Sequence, residues 1–194
     1  MTSQAKQAIS KEEKVLSTQE LRNLGLTKYA VNKLIEEGHI ERVRRGFYLV
    51  TGKDVSDRQV AGDLIPSGIF CLQSAAVLYD YTTHVPQVIH MAIRKKERYT
   101  LPEYPPIKLY YWKGRQYELG VSTFVQGMDS IVTYDKEKTV CDFLKFRNKQ
   151  ERSVVNEVLR SYINDTDRNL NKLHLYAREL GLRTVLEKYL QPLL

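Results

Sequence analysis

The sequence predicts an α+β protein, in which an N-terminal winged helix-turn-helix is followed by a mixed α/β domain with a small sheet and a helical C-terminal part. Three observations predict this class. Residues 16–50 carry the capping residues, glycines and apolar spacing of two short helices and a two-stranded ribbon. Residues 88–134 contain four runs rich in Val, Ile, Tyr and Phe, which favour strands. From Lys136 onward, apolar residues recur at helical spacing.

The helix-turn-helix of the N-terminal head is predicted to consist of two helices. The first begins at Ser17, which has capping-box spacing with Glu20, and ends at Gly25. Thr27 can cap the second, which carries residues 28–37. Its apolar side comprises Ala30, Val31, Leu34 and Ile35. Its polar side comprises Lys28, Tyr29, Asn32, Lys33 and Glu36. We expect the apolar side to pack on the first helix, which leaves the polar side free to enter a DNA major groove.

The predicted wing follows this helix directly. It carries a basic run, Arg42, Arg44 and Arg45, and Gly46 allows the chain to turn into a return strand. We expect the arginines and the lysines of the second helix to hold phosphates, while Tyr29 and Asn32 read bases. The predicted DNA-binding residues are therefore Lys28, Tyr29, Asn32, Lys33, Arg42, Arg44 and Arg45. The alternative is an ordinary helical hairpin with a solvated basic face.

The remaining elements are assigned in chain order. Residues 2–14 predict a first helix of the head, and the polar segment 51–56 is the best boundary, which gives domains of residues 1–52 and 53–194. Further helices are predicted at 57–64 and from about Leu72. The predicted strands cover residues 88–94, 107–112, 121–126 and 131–134, and a basic loop covers 94–106. The strands are expected to form an antiparallel or mixed sheet, and Asp135 to cap the first of the C-terminal helices.

Composition bounds the possible functions. The chain has 194 residues, 42% of them hydrophobic, which is ample for a core, and a net charge of +7 that favours an anionic partner. The head contributes +3 and the remainder +4, so a nucleic-acid footprint can extend beyond the head. No apolar run is long enough to cross a bilayer and the polar start is not a signal peptide, so a cytoplasmic protein without membrane contact is expected.

No metal, cofactor or catalytic site is predicted. The four histidines are dispersed, and the two cysteines are expected to be buried free thiols. The chain contains no phosphate-binding loop, dinucleotide-binding turn or nucleophile elbow. Residues 127–130 (GMDS) include residue types found at nucleotidyl-transfer sites, but a turn between strands explains them more simply.

Other charged and aromatic groups allow two interpretations. Two further basic clusters either are solvated or touch DNA or RNA. They are Arg94, Lys95, Lys96 and Arg98, and Lys145, Arg147, Lys149 and Arg152. Lys138 and Asp142 are four apart and are expected to pair as surface charges, while Asp142 can also be a half-buried carboxylate that ties its helix to an arginine. Tyr110, Tyr111 and Trp112 alternate across a strand, with core packing expected on at least one side and Tyr111 free to stack on a base or a partner.

Three segments together resemble the bacterial AbiEi-type antitoxins of the AbiE abortive-infection (type IV) toxin–antitoxin family. They are "GHIERVRRGFY", "IFCLQSAAVLYDYTTHVP" and "IVTYDKEKTVCDFLKFR", and the resemblance covers the chain from about Val15 to its end. It implies a transcriptional autorepressor that binds inverted repeats in its own promoter. It also implies that the second domain counters a nucleotidyltransferase-like toxin without a stable complex, in phage defence. Since no dimerisation helix is evident, we expect a monomer in solution that pairs on the DNA.

Two rival functions remain open. One is a ligand-responsive winged-helix transcriptional regulator with no toxin partner, whose second domain would hold a small-molecule pocket. The other is a nuclease or nucleotidyltransferase fused to a DNA-binding head, against which the missing metal and phosphate motifs count.

Overall fold

The computed structural model describes residue 7 and residues 9–126 and 129–191. Contacts between its residues divide the chain into two compact units. The first comprises Met1–Pro66 with Tyr99–Ile107, and the second comprises Ser67–Arg98 with Lys108–Leu194. The predicted domains, 1–52 and 53–194, stay a prediction. The helix predicted over residues 2–14 lies largely outside the described residues. Within the described chain, no helix is both long and apolar enough to cross a membrane.

The first unit contains the predicted helices and ribbon strands of the head, a further short strand, and the helix predicted at residues 57–64. In chain order they are β1 (Leu16–Ser17), α1 (Thr18–Asn23), α2 (Lys28–Glu36), β2 (Ile40–Arg44), β3 (Phe47–Val50) and α3 (Asp57–Leu64). Both predicted helices and both ribbon strands are confirmed. The sheet gains a third strand, with the order β1-β3-β2, because Leu16 pairs with Tyr48 and Ser17 with Phe47.

A small apolar core holds this unit together. Leu21 of α1 is fully buried, and Val31 and Leu34 of α2 pack into the same cluster as Ile40 and Tyr48 of the ribbon. The helix α3 is tied to the start of the head by a hydrogen bond of 2.8 Å from the Val15 N–H to Asp63 Oδ2. The apolar side of α2 is therefore used for packing, as the sequence predicts, and its polar side is left outside.

The second unit is built on a five-stranded sheet with the order β6-β5-β4-β8-β7. Its strands are β4 (Ile69–Phe70), β5 (Ile89–Arg94), β6 (Ile107–Trp112), β7 (Val121–Gln126) and β8 (Asp129–Tyr134). The sheet is mixed, as predicted, because β4 pairs antiparallel with β5 and parallel with β8. The strand β4 is not predicted from the sequence, since residues 69–81 form one apolar run in which the predicted element is a helix from about Leu72.

Helices complete the second unit. They are α4 (Gln73–Leu78), α5 (Arg115–Glu118), α6 (Lys136–Lys145), α7 (Arg152–Asn164), α8 (Leu170–Glu179) and α9 (Arg183–Leu190), with a 3-10 turn at Arg147–Lys149. Asp135 caps α6 as predicted, because its carboxylate accepts the N–H of Lys138 at 2.8 Å. The stripes of α6, α7, α8 and α9 bury one continuous core. Cys71 and Cys141 lie in that core as free thiols, as the sequence predicts.

The pairing predicted for Lys138 is correct, but its predicted place on the surface is wrong. The Lys138 ammonium lies 2.6 Å from Asp142 Oδ1, and both side chains are fully buried. The prediction that Asp142 pairs with an arginine is also wrong. The further partner of the Asp142 carboxylate is Gln116, whose Nε2 donates to Oδ1 at 2.6 Å. Burial raises the pKa of the Asp142 carboxyl, an effect that the Lys138 ammonium opposes.

Candidate nucleic-acid interface

One face of the helix α2 is polar and exposed to solvent. Its first turn is capped by Thr27, whose Oγ1 accepts the N–H of Ala30 at 3.3 Å, and contains no acidic residue. Tyr29 is 80% exposed, and Lys28 and Asn32 are exposed beside it. Lys33 is exposed as well, with its ammonium 3.8 Å from Glu37 Oε1. The residues predicted to contact DNA on this helix therefore lie on one accessible side.

The tip of the wing is fixed to the start of α1. Thr18 donates twice to the carbonyl oxygen of Gly46, from its N–H at 2.8 Å and from its hydroxyl at 3.1 Å. Gly46 has φ +83°, a left-handed conformation that side chains rarely adopt, and it follows the exposed Arg45. These bonds hold the turn between β2 and β3 against the first helix.

Together these elements form a depression of about 400 Å³, which we call the basic groove. It is lined by Thr18, Arg22, Leu26, Lys28, Val31, Asn32, Arg42, Arg45, Gly46 and Tyr48. Four of these residues are cations, all exposed, and none of the described residues that line it is acidic. Within the described chain, no ion pair joins Arg22, Lys28 or Arg45 to a carboxylate. A concave surface with this charge suits phosphate oxygens, which are held by lysine and arginine donors.

The structure separates the seven predicted DNA-binding residues into two sets. Lys28, Asn32, Arg42 and Arg45 meet in the basic groove. Tyr29 and Lys33 lie on the same helix outside its lining, and Arg44 is held by the protein itself. Arg22 and Thr18 line the groove but were not among the predicted residues. For Arg22 the available signal was its place on the polar side of α1, close in sequence to the turn that leads into α2.

Arg44 differs from its neighbours in the wing. Its guanidinium stacks 3.9 Å from the ring centroid of Phe47, and its Nη2 donates to the carbonyl oxygen of Leu64 at 3.3 Å. The β-bulge between Arg42 and Arg44 changes the side of the ribbon that Arg44 faces. Burial lowers the pKa of its guanidinium. Its assignment as a phosphate contact stays a prediction.

A capping box fixes α1 behind the groove. The Ser17 hydroxyl accepts the N–H of Glu20 at 3.2 Å, and Glu20 Oε2 accepts the N–H of Ser17 at 2.8 Å. The other carboxylate oxygen lies 2.8 Å from the Lys14 ammonium. The Lys14 contact and the two bonds to Ser17 lower the pKa of Glu20 to about 2. The carboxylate is therefore ionised at neutral pH, when both of its bonds are made.

The two additional basic clusters lie in the second unit, and they differ in how their side chains are held. In the first, Arg94 lies 3.6 Å from Glu118, and Arg98 donates to the carbonyl oxygens of Lys95 and Glu97. Lys95 and Lys96 are exposed. In the second cluster, Arg147 donates to the carbonyl oxygen of Leu144, and the other three members, Lys145, Lys149 and Arg152, are exposed. Whether either cluster touches nucleic acid stays a prediction.

Few groups outside these surfaces suggest catalysis or metal binding. Among the described residues, no group of three or more metal-ligating side chains is found. The segment considered for nucleotidyl transfer cannot be placed as a whole, because Gly127 and Met128 lie outside the described residues. His90 is buried and its pKa is lowered to about 4, first by burial and then by Lys108, so it is neutral at physiological pH.

The comparisons with known proteins agree with the geometry of the head. Residues 3–51 match the family described as "Transcriptional regulator, AbiEi antitoxin". A solved structure, the RV2827C protein from Mycobacterium tuberculosis, shares the fold with a TM-score of 0.56 and 10% sequence identity, over 97% of this chain and 80% of that chain. At this identity the likeness concerns the fold alone. No curated protein matches the sequence significantly.

Proposed function

We propose that this protein is the antitoxin and transcriptional autorepressor of a toxin–antitoxin operon. The proposal is supported by the match of residues 3–51 to the family of AbiEi antitoxin regulators. The protein binds inverted repeats in its own promoter through the winged helix-turn-helix, and it counters a nucleotidyltransferase-like toxin without a stable complex. The observation that supports it best is the basic groove, where Asn32 of α2 and Arg42 and Arg45 of the wing line one concave surface. No catalytic step is part of this function, which belongs to the cytoplasm.

The exposed polar side of α2 suits the major groove. Asn32 offers an amide that can bond adenine in a bidentate manner, and Tyr29 offers a ring edge and a hydroxyl. Lys28, Lys33, Arg22 and the wing arginines Arg42 and Arg45 hold the phosphates on either side, which sets affinity rather than sequence preference. Inverted repeats present two such sites, so two copies of the chain bind side by side while the free protein stays monomeric.

DNA binding is tested with the full chain and a labelled duplex of its own promoter. Arg45→Ala is expected to weaken binding to every sequence alike and to lower the slope of log affinity against log salt by about 0.9. Asn32→Ala is expected to reduce the preference for the promoter over a scrambled duplex by about 5- to 100-fold. Arg168→Gln, at an exposed arginine of the second unit outside the predicted basic clusters, serves as the charge control. Equal binding to promoter and scrambled DNA by the unchanged protein would contradict operator recognition.

The antitoxin role is tested separately from DNA binding. The full chain and its Asn32→Ala, Arg42→Ala, Arg45→Ala variant are each co-expressed with the product of the adjacent gene, and growth is measured. Rescue by both assigns the countering of the toxin to residues outside the basic groove. Rescue by the unchanged chain alone indicates that DNA binding takes part in countering the toxin. A harmless neighbour, or no rescue by either, refutes the antitoxin role and leaves a ligand-responsive regulator.

A further inference from the structure

The second unit has an open depression of about 790 Å³ beside β6, the edge strand of its sheet. This volume lies within the range of small-molecule and cofactor sites. We call it the aromatic pocket. Its lining is drawn from β6, α5, the end of α6 with the 3-10 turn, and the end of α8. All of these residues belong to the second unit, so the pocket is separate from the basic groove.

Three aromatic rings form one part of the lining. The rings of Trp112 and Phe146 are stacked, with an interplanar angle of 7° and centroids 5.6 Å apart. The ring of Tyr110 lies 6.1 Å from Trp112 and 6.3 Å from Phe146. Trp112 is buried and is held further by the Lys138 ammonium, 4.6 Å from its ring. These rings are fixed in the core, so a flat ligand group finds a rigid surface to stack on.

Cations form the other part of the lining. They are Lys108, Lys113, Arg115, Lys145 and Lys149, against a single acid, Glu179. That acid is already paired, because Arg115 lies 2.7 Å from it. Within the described chain, no ion pair joins the four lysines to a carboxylate. Four exposed ammonium groups beside a ring surface suit an anionic ligand, and phosphate is an anion that lysine commonly binds.

Gln116 adds a specific hydrogen-bonding demand. Its Nε2 donates to the buried Asp142 carboxylate, which fixes which way the amide is turned. Its Oε1 is buried and has no hydrogen-bond partner among the described residues. A buried acceptor without a donor is unfavourable. The N–H of a base or a ribose hydroxyl supplies such a donor.

We propose that the aromatic pocket binds a nucleotide unit, with its base against the rings of Tyr110 and Phe146 and its phosphate on the lysines. The unit comes from a single-stranded nucleic acid or from a free nucleoside phosphate, which present the same chemistry to these residues. The operator binding proposed above does not enter this inference, because every residue involved lies in the second unit.

A second basic depression favours a strand as the source. It has a volume of about 700 Å³ and contains Arg147, Arg152, Arg160 and Lys188 with no acid among its described lining residues. Phe146 and Lys149 line the aromatic pocket, whereas Arg147 and Asn148 line this second depression. The two depressions therefore draw on neighbouring residues of one short segment around the 3-10 turn. A strand that places one base in the aromatic pocket continues with its phosphates over the second depression.

The test uses the full chain carrying Asn32→Ala, Arg42→Ala and Arg45→Ala, so that the basic groove contributes little. Binding of a labelled single-stranded RNA of twelve nucleotides is followed by fluorescence anisotropy. Lys113→Gln with Lys149→Gln is expected to lower the affinity about tenfold and the salt slope by about 1.4. Arg168→Gln with Arg183→Gln removes the same charge from exposed positions of the same unit outside both depressions and outside the predicted basic clusters, and is expected to change the affinity less than twofold. Phe146→Leu, which keeps an apolar side chain, is expected to lower it about fivefold or more.

Competition identifies the source. Displacement of the label by ATP at concentrations similar to those of unlabelled strand supports the pocket with a free nucleotide as its ligand. Displacement by the strand alone supports a nucleic acid. The proposal is overturned by absent binding, by equal losses in the pocket lysine variant and the control arginine variant, or by equal displacement by duplex DNA. The pocket substitutions are also introduced into a chain whose basic groove is unchanged, and binding to the promoter duplex is measured. They are expected to leave this affinity unchanged. A failure of operator binding is thereby distinguished from a failure of the pocket.

Discussion

The two units of the chain use cations in opposite ways. In the head, Arg22, Lys28 and Arg45 are exposed and line a groove without an acidic neighbour among the described residues. In the core of the second unit, the Lys138 ammonium is fully buried, with both oxygens of Asp142 at 2.6 and 2.7 Å and aromatic rings around it. An exposed cation stays hydrated until a partner arrives, whereas a buried one requires its partner for folding. The exposed cations of the head are therefore available to a binding partner, whereas the buried Lys138 contributes to stability.

The largest expected effect comes from breaking the buried pair. Lys138→Met or Asp142→Leu alone leaves one uncompensated charged group in the core, and each is expected to lower the free energy of unfolding by about 3–5 kcal/mol. The double variant should recover most of that loss, because neither charge then remains. Urea unfolding of the unchanged protein, the two single variants and the double variant forms a double-mutant cycle.

An exposed pair in the same unit provides the control for this cycle. Arg183 and Glu187 have the same spacing on α9 and lie 2.9 Å apart, but their side chains are 76% and 53% exposed. The corresponding cycle should give at most about 0.5 kcal/mol. Similar coupling energies in the two pairs would show that burial does not set the role of the cation.

A second contrast uses one glycine from each unit. Gly46 and Gly120 both have positive φ, +83° and +71°. An added Cβ would meet Thr18 Oγ1 at an ordinary 3.5 Å at Gly46, but Lys138 Cβ at only 2.6 Å at Gly120. Gly46→Ala should therefore cost about 1 kcal/mol from the backbone alone, and Gly120→Ala about 3 kcal/mol, because overpacking adds to it. Equal losses in urea unfolding would remove the packing part of this explanation.

The head could be predicted closely because its signals are local. Ser17 with Glu20, Thr27, and the turn glycine Gly46 each act on residues within a few positions, so the sequence alone defines the helices, the caps and the ribbon turn. The groove itself was predicted less completely. Arg22 lines the groove because α1, α2 and the wing pack together, and no local sequence pattern indicates this tertiary contact.

The second unit shows why the rest could not be predicted. The strand β4 has only two residues, and it forms because Ile69 pairs with Ala92 and Phe70 with Met91 and Thr133, far along the chain. Likewise, a lysine and an aspartate four apart on a helix give the same pattern whether they are buried or exposed. Burial of Lys138 is decided by Trp112 and Tyr134, which arrive from β6 and β8.

The wing also contains one arginine that is bound by the protein, Arg44, and one that is exposed, Arg45. Arg44→Ala removes the contact with the Phe47 ring and the hydrogen bond to Leu64, and is expected to lower the free energy of unfolding by about 1–2 kcal/mol. Arg45→Ala, at the exposed turn, should leave stability within about 0.5 kcal/mol and reduce affinity for promoter DNA. Stability is measured by urea unfolding and affinity by anisotropy. The opposite pattern, with Arg45 needed for stability and Arg44 for affinity, would reverse the roles given to these two arginines.

The smallest expected effect concerns Glu20, the ionised member of the capping box that starts α1. Interactions with Lys14 and Ser17 lower the pKa of Glu20 from 4.5 to about 2. Because the folded pKa lies below the unfolded one, the carboxylate contributes stability above about pH 4.5 and loses that contribution as the pH falls toward 2. Glu20→Gln keeps an acceptor for the Ser17 N–H but removes the charge, and the group is partly exposed, so at pH 7 it should cost at most about 0.5 kcal/mol. The difference between the two proteins in urea unfolding should then shrink between pH 4.5 and 2.5. A difference that stays constant over that range would mean that the Glu20 charge does not stabilise the cap of α1. The wing tip, which Thr18 of α1 holds, would then not depend on this charge either.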